Sequence, residues 1–298
     1  MHRPSRRPGP RSSGPWHGAG IVLLLLAAAP APGAEPASPL VDAESRFAAA
    51  VAADGIRAGF LAFLADSAVT LAPAPRPARP IFEASADDGS RLVWRPDVAT
   101  LSSGGDFGWT SGPYLSYPRD SATAAEAGHF VTVWRRDPAT GWRVLLDAGI
   151  DYPLPPEQRD RHLAVGTRLR AGGGAVGADV PTCDSRFFEA WRSKGRRRAL
   201  EEFAARDVRL LGPGTAPLDG AGAAERDPLH GVVLAAARVA RRLQSASGDL
   251  LVAYGEYDYA ATAERARGHE NFALAFDAGR GCRLALELRV PAGNAGTP

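Results

Sequence analysis

The feature that most constrains this chain is that it repeats itself. Ser45-Arg46-Phe47 recurs as Ser185-Arg186-Phe187, and at the same offset of 140 residues Gly55 falls on Gly195 and Phe63 on Phe203. Gly105-Asp106, Gly112 and Tyr114 match Gly248-Asp249, Gly255 and Tyr257 at an offset of 143. Gly128-His129, Asp137, Gly141-Trp142-Arg143 and Asp147 then match Gly268-His269, Asp277, Gly281-Cys282-Arg283 and Glu287, back at 140. Self-similarity sustained over such a span marks a duplicated unit. The chain therefore reads as copy one, residues 40–150, and copy two, residues 181–291. Residues 151–180, with Pro153, Pro155, Pro156 and Gly172-Gly173-Gly174, read as an exposed linker.

Within copy one, Phe47, Val51, Phe60, Phe63 and Leu64 recur at spacings of three and four, which predicts helices over 42–53 and 56–65. A short strand near 69–71, a third helix near 81–86 and strands over 92–94, 106–117, 130–136 and 142–150 follow. Helices first and an antiparallel sheet afterwards is an α+β order. A loop over 137–141 pairs Trp134 with Val144 and Thr132 with Leu146, and opposed residues share a face. Phe130, Thr132, Trp134, Trp142, Val144 and Leu146 then face the helices. His129, Val131, Val133, Arg135, Arg143, Leu145 and Asp147 face away. Copy two sorts the same way, with Phe272, Leu274, Phe276, Cys282, Leu284 and Leu286 against His269, Asn271, Arg283 and Glu287.

An Arg-rich start, an apolar run of eleven residues from Ala19 to Ala29 and small residues to Ala34 have the order of a cleavable signal peptide, residues 1–34. The run is too short for a bilayer, which needs about 20 apolar residues. The mature chain is expected to be periplasmic or secreted, with no stable membrane anchor. Once Arg3, Arg6, Arg7 and Arg11 leave with the signal, the 33 acidic residues outnumber the basic ones, so nothing draws the chain to nucleic acid. Two cysteines, Cys183 and Cys282, in an oxidising compartment fit one disulfide, with two separate buried thiols as the alternative. Two thiols without nearby histidines do not complete a metal site. No phosphate-cradling glycine loop, no Gly-x-Ser-x-Gly elbow, no His-Glu-x-x-His and no Cys-x-x-Cys occurs, so no cofactor is expected.

The string from Gly105 to Tyr114, followed by Gly128-His129-Phe130-Val131-Thr132-Val133-Trp134 and Gly141-Trp142-Arg143-Val144-Leu145-Leu146-Asp147, resembles the nuclear transport factor 2-like superfamily, and within it the SnoaL-like domains. The resemblance covers residues 40–150 well and 183–290 chiefly through the repeat. It implies two tandem cone-shaped domains, each with about three helices packed in a curved antiparallel sheet around a cavity. It also implies association through the sheets' outer faces, as an intramolecular pseudo-dimer or a homodimer. No single activity follows from it, because this fold hosts isomerases, cyclases, dehydratases and binding domains.

Beside a purely structural role, in which one copy is a degenerate partner completing a pseudo-dimer, two function classes remain. One is a non-catalytic protein binding a small apolar or amphipathic molecule, or a partner protein, with Trp109, Tyr114, Thr132 and Trp134 lining copy one's pocket and Tyr254 and Glu256 their counterparts. The other is a cofactor-independent isomerase, cyclase or lyase with Asp106 as general base; Asp106 and Asp249 both follow a glycine at a strand entry, where a turn aspartate bonding local amides is the plainer reading. His129 with Asp147, and His269 with Glu287, could each form a catalytic dyad, but they fall on the outward faces, where a surface or interface ion pair is the plainer reading. Arg196-Arg197-Arg198 reads as a solvated charge run. Copy one keeps more strand aromatics, since copy two has Val252 and Cys282 in place of Trp109 and Trp142, so copy one is the better binder and copy two the stapled structural partner.

Overall fold

Helix periodicity, a glycine break and alternating strands build each copy in the same order. A computed structural model of the chain describes residues 39–173, 183–260 and 268–293. The segment expected to be a signal peptide, residues 1–34, and the end of the expected linker, residues 174–180, fall outside the described residues. Copy one runs α1 (Pro39–Phe63), β1 (Leu64–Thr70), β2 (Arg76–Pro77), α2 (Arg79–Ala84), β3 (Arg91–Trp94), β4 (Val98–Leu101), β5 (Phe107–Tyr117), β6 (Glu126–Asp137) and β7 (Gly141–Asp151). The connection adds α3 (Pro156–His162) and β8 (Arg168–Ala171). Copy two runs α4 (Cys183–Lys194), α5 (Arg196–Phe203), β9 (Ala204–Leu211), β10 (Leu218–Asp219), α6 (Ala223–Arg226), β11 (Leu234–Gln244), β12 (Leu250–Tyr259), β13 (Gly268–Asp277) and β14 (Arg283–Pro291).

Gly55 divides α1 with φ 84° and ψ 165°, and Gly195 separates α4 from α5 with φ 84° and ψ 159°. Only glycine takes that conformation without strain, so the matched pair fixes the same helix break in both copies.

The expected cone is not found. The first sheet has the order β2-β1-β7-β6-β5-β4-β8, with β3 also on β5, and the second β10-β9-β14-β13-β12-β11. Among the described residues the end strands of neither sheet pair, so both sheets stay open rather than curling round a cavity. Closure needs a continuous ladder between first and last strand, and β2 and β10 have only two residues each. The sheets are also mixed: β1 lies parallel to β7, β9 to β14 and β4 to β8.

Each sheet packs its helices on one face. Phe47, Val51, Phe60, Trp94, Phe130, Trp134 and Val144 form the helix-side core of copy one. Phe187, Trp191, Leu200, Phe272, Phe276 and Leu284 form that of copy two. The remaining faces meet each other: Trp109, Val131, Val133, Leu146 and Ala148 share one buried cluster with Val252, Tyr254, Ala273, Ala275, Leu286 and Leu288. Burying both apolar faces at once removes them from water. A disulfide joins Cys183 to Cys282 across 99 residues, tying α4 to the turn before β14. Among the described residues no helix is long and apolar enough to cross a membrane.

The β6/β7 and β13/β14 ladders each depart from simple alternation at one place. Trp134 pairs with Val144 as expected, but a bulge follows, so Val133 pairs with Leu146 and Thr132 with Asp147. In copy two Phe276 pairs with Leu284, then Ala275 with Leu286 and Leu274 with Glu287. The extra residue, Leu145 or Ala285, reverses the faces beyond it. Asp147 and Glu287 therefore turn towards the helices, opposite to the outward placement that alternation predicts.

Candidate functional site

On the helix side of copy one lies a cavity of about 310 Å³ lined by Ile56, Phe60, Leu92, Trp94, Tyr114, Ser116, Glu126, Phe130, Asp147, Ala148 and Gly149. That is the lower end of the ~300–1,000 Å³ of small-molecule sites. Ile56 and Phe60 come from α1 just beyond the Gly55 kink, Trp94 from β3, Tyr114 from β5, Phe130 from β6 and Asp147 from behind the β7 bulge.

Asp147 is the polar centre of this lining. One carboxylate oxygen accepts from the Thr132 hydroxyl at 2.9 Å. Burial pushes its carboxyl up to about 7, the Thr132 bond draws it down and nearby Glu44 raises it. Glu44, on α1, is fully buried and accepts from Trp94 Nε1 at 2.6 Å, Trp134 Nε1 at 2.9 Å and the Thr110 hydroxyl. Burial raises its carboxyl too, against those donors. Copy one thus holds two neighbouring carboxylates whose partners are neutral. Such a pair can hold a proton near neutrality or meet a cation.

Copy two fills the corresponding space with charge. Arg196 is fully buried, bonded through its two terminal nitrogens to Glu287 and through Nε to Asp227. The centre of its guanidinium lies 4.5 Å from the centroid of the Trp191 ring. Arg289 reaches Glu270 at 3.4 Å and Asp227 at 3.5 Å. Asp184, which aligns with Glu44, is held by Arg242 at 2.6 Å. The solvated run expected at 196–198 is thus corrected at its first member: Arg197 and Arg198 bond Glu201 at the surface, but Arg196 turns inward.

The sequence-predicted residues scatter. Tyr114 lines the cavity, its hydroxyl donating to Asp151. Thr132 and Trp134 lie beneath it as partners of Asp147 and Glu44. Trp109 and Tyr254 belong to the cluster between the sheets. Glu256 pairs with Arg238 and Asn271 in the β12 ladders, outside the cavity lining. Asp106 sits in the turn before β5, where it accepts from the Ser102 hydroxyl at 2.9 Å and from the Ala246 amide of copy two at 2.9 Å. Asp249 reciprocates, accepting from the Ser103 amide at 2.8 Å and from the Ser245 hydroxyl. His129 bonds the Tyr152 hydroxyl at 2.7 Å, away from Asp147, and His269 bonds Asp258. Sequence reasoning missed Glu44, although it adjoins the repeated Ser-Arg-Phe and aligns with an acid in copy two. Among the described residues no group of side chains could hold a metal ion.

The chain matches no family profile and no curated protein sequence. It is similar to solved structures at low identity. A nuclear transport factor 2-like protein with a cystatin-like fold from Novosphingobium aromaticivorans is 16% identical, over 41% of this chain and 85% of that one, with a TM-score of 0.31. A protein of unknown function with a cystatin-like fold from Nostoc punctiforme is 15% identical, over 40% and 92%, with a TM-score of 0.32. A nuclear transport factor 2-like superfamily protein from Salmonella enterica is 12% identical, over 39% and 89%, with a TM-score of 0.30.

Proposed function

We propose that the chain is an exported binding protein whose first copy takes up a small, largely apolar molecule bearing one polar group, while the second copy is a closed structural partner. The observation that carries this reading is the inequality of one space in the two copies. In copy one it is an aromatic-walled cavity with Asp147 accessible in its lining; in copy two a buried arginine occupies it. An apolar pocket with one or two placed polar groups is the usual form of a small-molecule site.

Binding is read by fluorescence titration with N-phenyl-1-naphthylamine, a neutral apolar probe. The wild-type chain should bind one probe, and Ile56→Arg, which places copy two's arginine in copy one, should lose it while unfolding at a similar temperature. Binding unaffected by Ile56→Arg would refute the assignment.

A catalytic reading finds support in the near-neutral titration of Asp147. Proton transfer next to a carbonyl would then fall to Asp147 rather than Asp106, because Asp147 borders the cavity and Asp106 bonds the opposite turn. Deuterium exchange into 2-tetralone, followed by NMR, tests it: Asp147→Asn should abolish any acceleration and Asp106→Asn should not.

A further inference from the structure

The two copies carry different residues at aligned positions around one space. Ile56 and Arg196 each follow the kinked glycine, so they open equivalent helical segments. The ladders align Gly149 with Arg289, opposite Phe130 and Phe272, and Asp147 with Glu287. Copy two therefore brings two guanidinium groups to positions where copy one has an isoleucine and a glycine, and both of those line the cavity.

Copy two shows what this space accepts when it is filled. The Arg196 guanidinium forks onto the carboxylate of Glu287 and lies over an indole ring, out of water. It acts as a tethered ligand. Copy one keeps the carboxylate and supplies its own indole, Trp94, with Phe60, Phe130 and Tyr114 beside it. What it lacks is the cation: among the described residues the lining contains Glu126 and Asp147 and no basic side chain. A cation on an aromatic face next to a carboxylate gains from both, and more so where water is excluded.

We propose that the cavity of copy one selects a ligand with a flat apolar body and one cationic nitrogen group, an amidinium, guanidinium or protonated amine, seated on Asp147 against Trp94. This rests on the reading of that cavity as a binding site and adds the charge of its ligand. Glu44 lies behind Asp147 with its own carboxyl engaged by two indoles and a hydroxyl, which leaves Asp147 as the carboxylate that borders the cavity.

Isothermal titration of the full chain at pH 8 with benzamidinium chloride, benzamide and sodium benzoate tests the charge preference at nearly constant shape. Benzamidinium should bind about tenfold more tightly than benzamide, and benzoate should not bind. Asp147→Asn should erase the difference, and Ile56→Arg should abolish binding of all three. Equal binding of benzamide and benzamidinium, failure of both, or a preference that survives Asp147→Asn would overturn the inference. If N-phenyl-1-naphthylamine still binds and is lost in Ile56→Arg, the binding reading stands without the cationic ligand; if that probe fails too, both fall.

Discussion

Asp147 holds a proton over a range in which the unfolded chain has already released it. Its folded carboxyl titrates near 7, raised by burial from the usual 3.8. The folded state then binds more protons than the unfolded state between about pH 4 and 7, so stability falls as pH rises through that window. A shift of this size corresponds to at most about 4 kcal/mol, and to less where the carboxyl keeps an edge towards water. Glu44 is shifted the same way and adds slope of the same sign. Asp147→Asn should therefore raise stability at pH 8 and flatten the slope between pH 4 and 7 in urea unfolding; an unchanged slope would count against the buried setting. Little of this was legible beforehand, because alternation gives no sign of an inserted residue. The nearest hints were the apolar pairs Leu145-Leu146 and Ala285-Leu286 ahead of the acid in both copies. Arg196 hid in a run of three arginines, although its alignment with apolar Ile56 marked it as inward.

At the scale of elements, the repeat carried most of the information. The matched kinked glycines and the pairing of Arg136 with Trp142 follow from it, whereas the covalent link of Cys183 to Cys282 was legible from the count of two cysteines in an exported chain. The slip between copies did not: Phe130 faces Gly149 and Phe272 faces Arg289, so β13 aligns two residues away from the Gly-His match. Sheet register answers to the partner strand, and a two-residue slip leaves every side chain on its own face. Open sheets were hidden for another reason, since no local pattern says whether end strands meet. The disulfide is argued at this scale. In the chain-entropy model a loop of this length contributes up to about 4 to 5 kcal/mol. The Cys183→Ser/Cys282→Ser variant should unfold at lower temperature, yet bind N-phenyl-1-naphthylamine unchanged at 25 °C, because neither cysteine borders copy one's cavity. Loss of probe binding in that folded variant would mean the copies do not divide the work as proposed.

Across the whole molecule, the duplicated faces behave as two halves of one assembly. Asp106 caps the Ala246 amide and Asp249 the Ser103 amide, a reciprocal clasp between the turns before β5 and β12. Arg209 of copy two adds a two-pronged bond to Asp97 of copy one, and Asn271 donates to the Leu71 and Pro73 carbonyls. Removing either clasp aspartate strands a bond to a charged acceptor, so Asp106→Ala and Asp249→Ala should each cost roughly 1–3 kcal/mol in urea unfolding. Both should leave probe binding intact; selective loss of binding in Asp106→Ala would restore that residue to the site. With its outer face covered by copy two, copy one keeps an open cavity on its helix side, while copy two holds an ion network at the aligned positions. A crystal structure of the chain soaked with N-phenyl-1-naphthylamine tests this division most directly. The probe is expected between Trp94, Phe130 and Asp147, with Arg196 still seated on Glu287. Probe density in copy two's interior, or only on the surface, would contradict it.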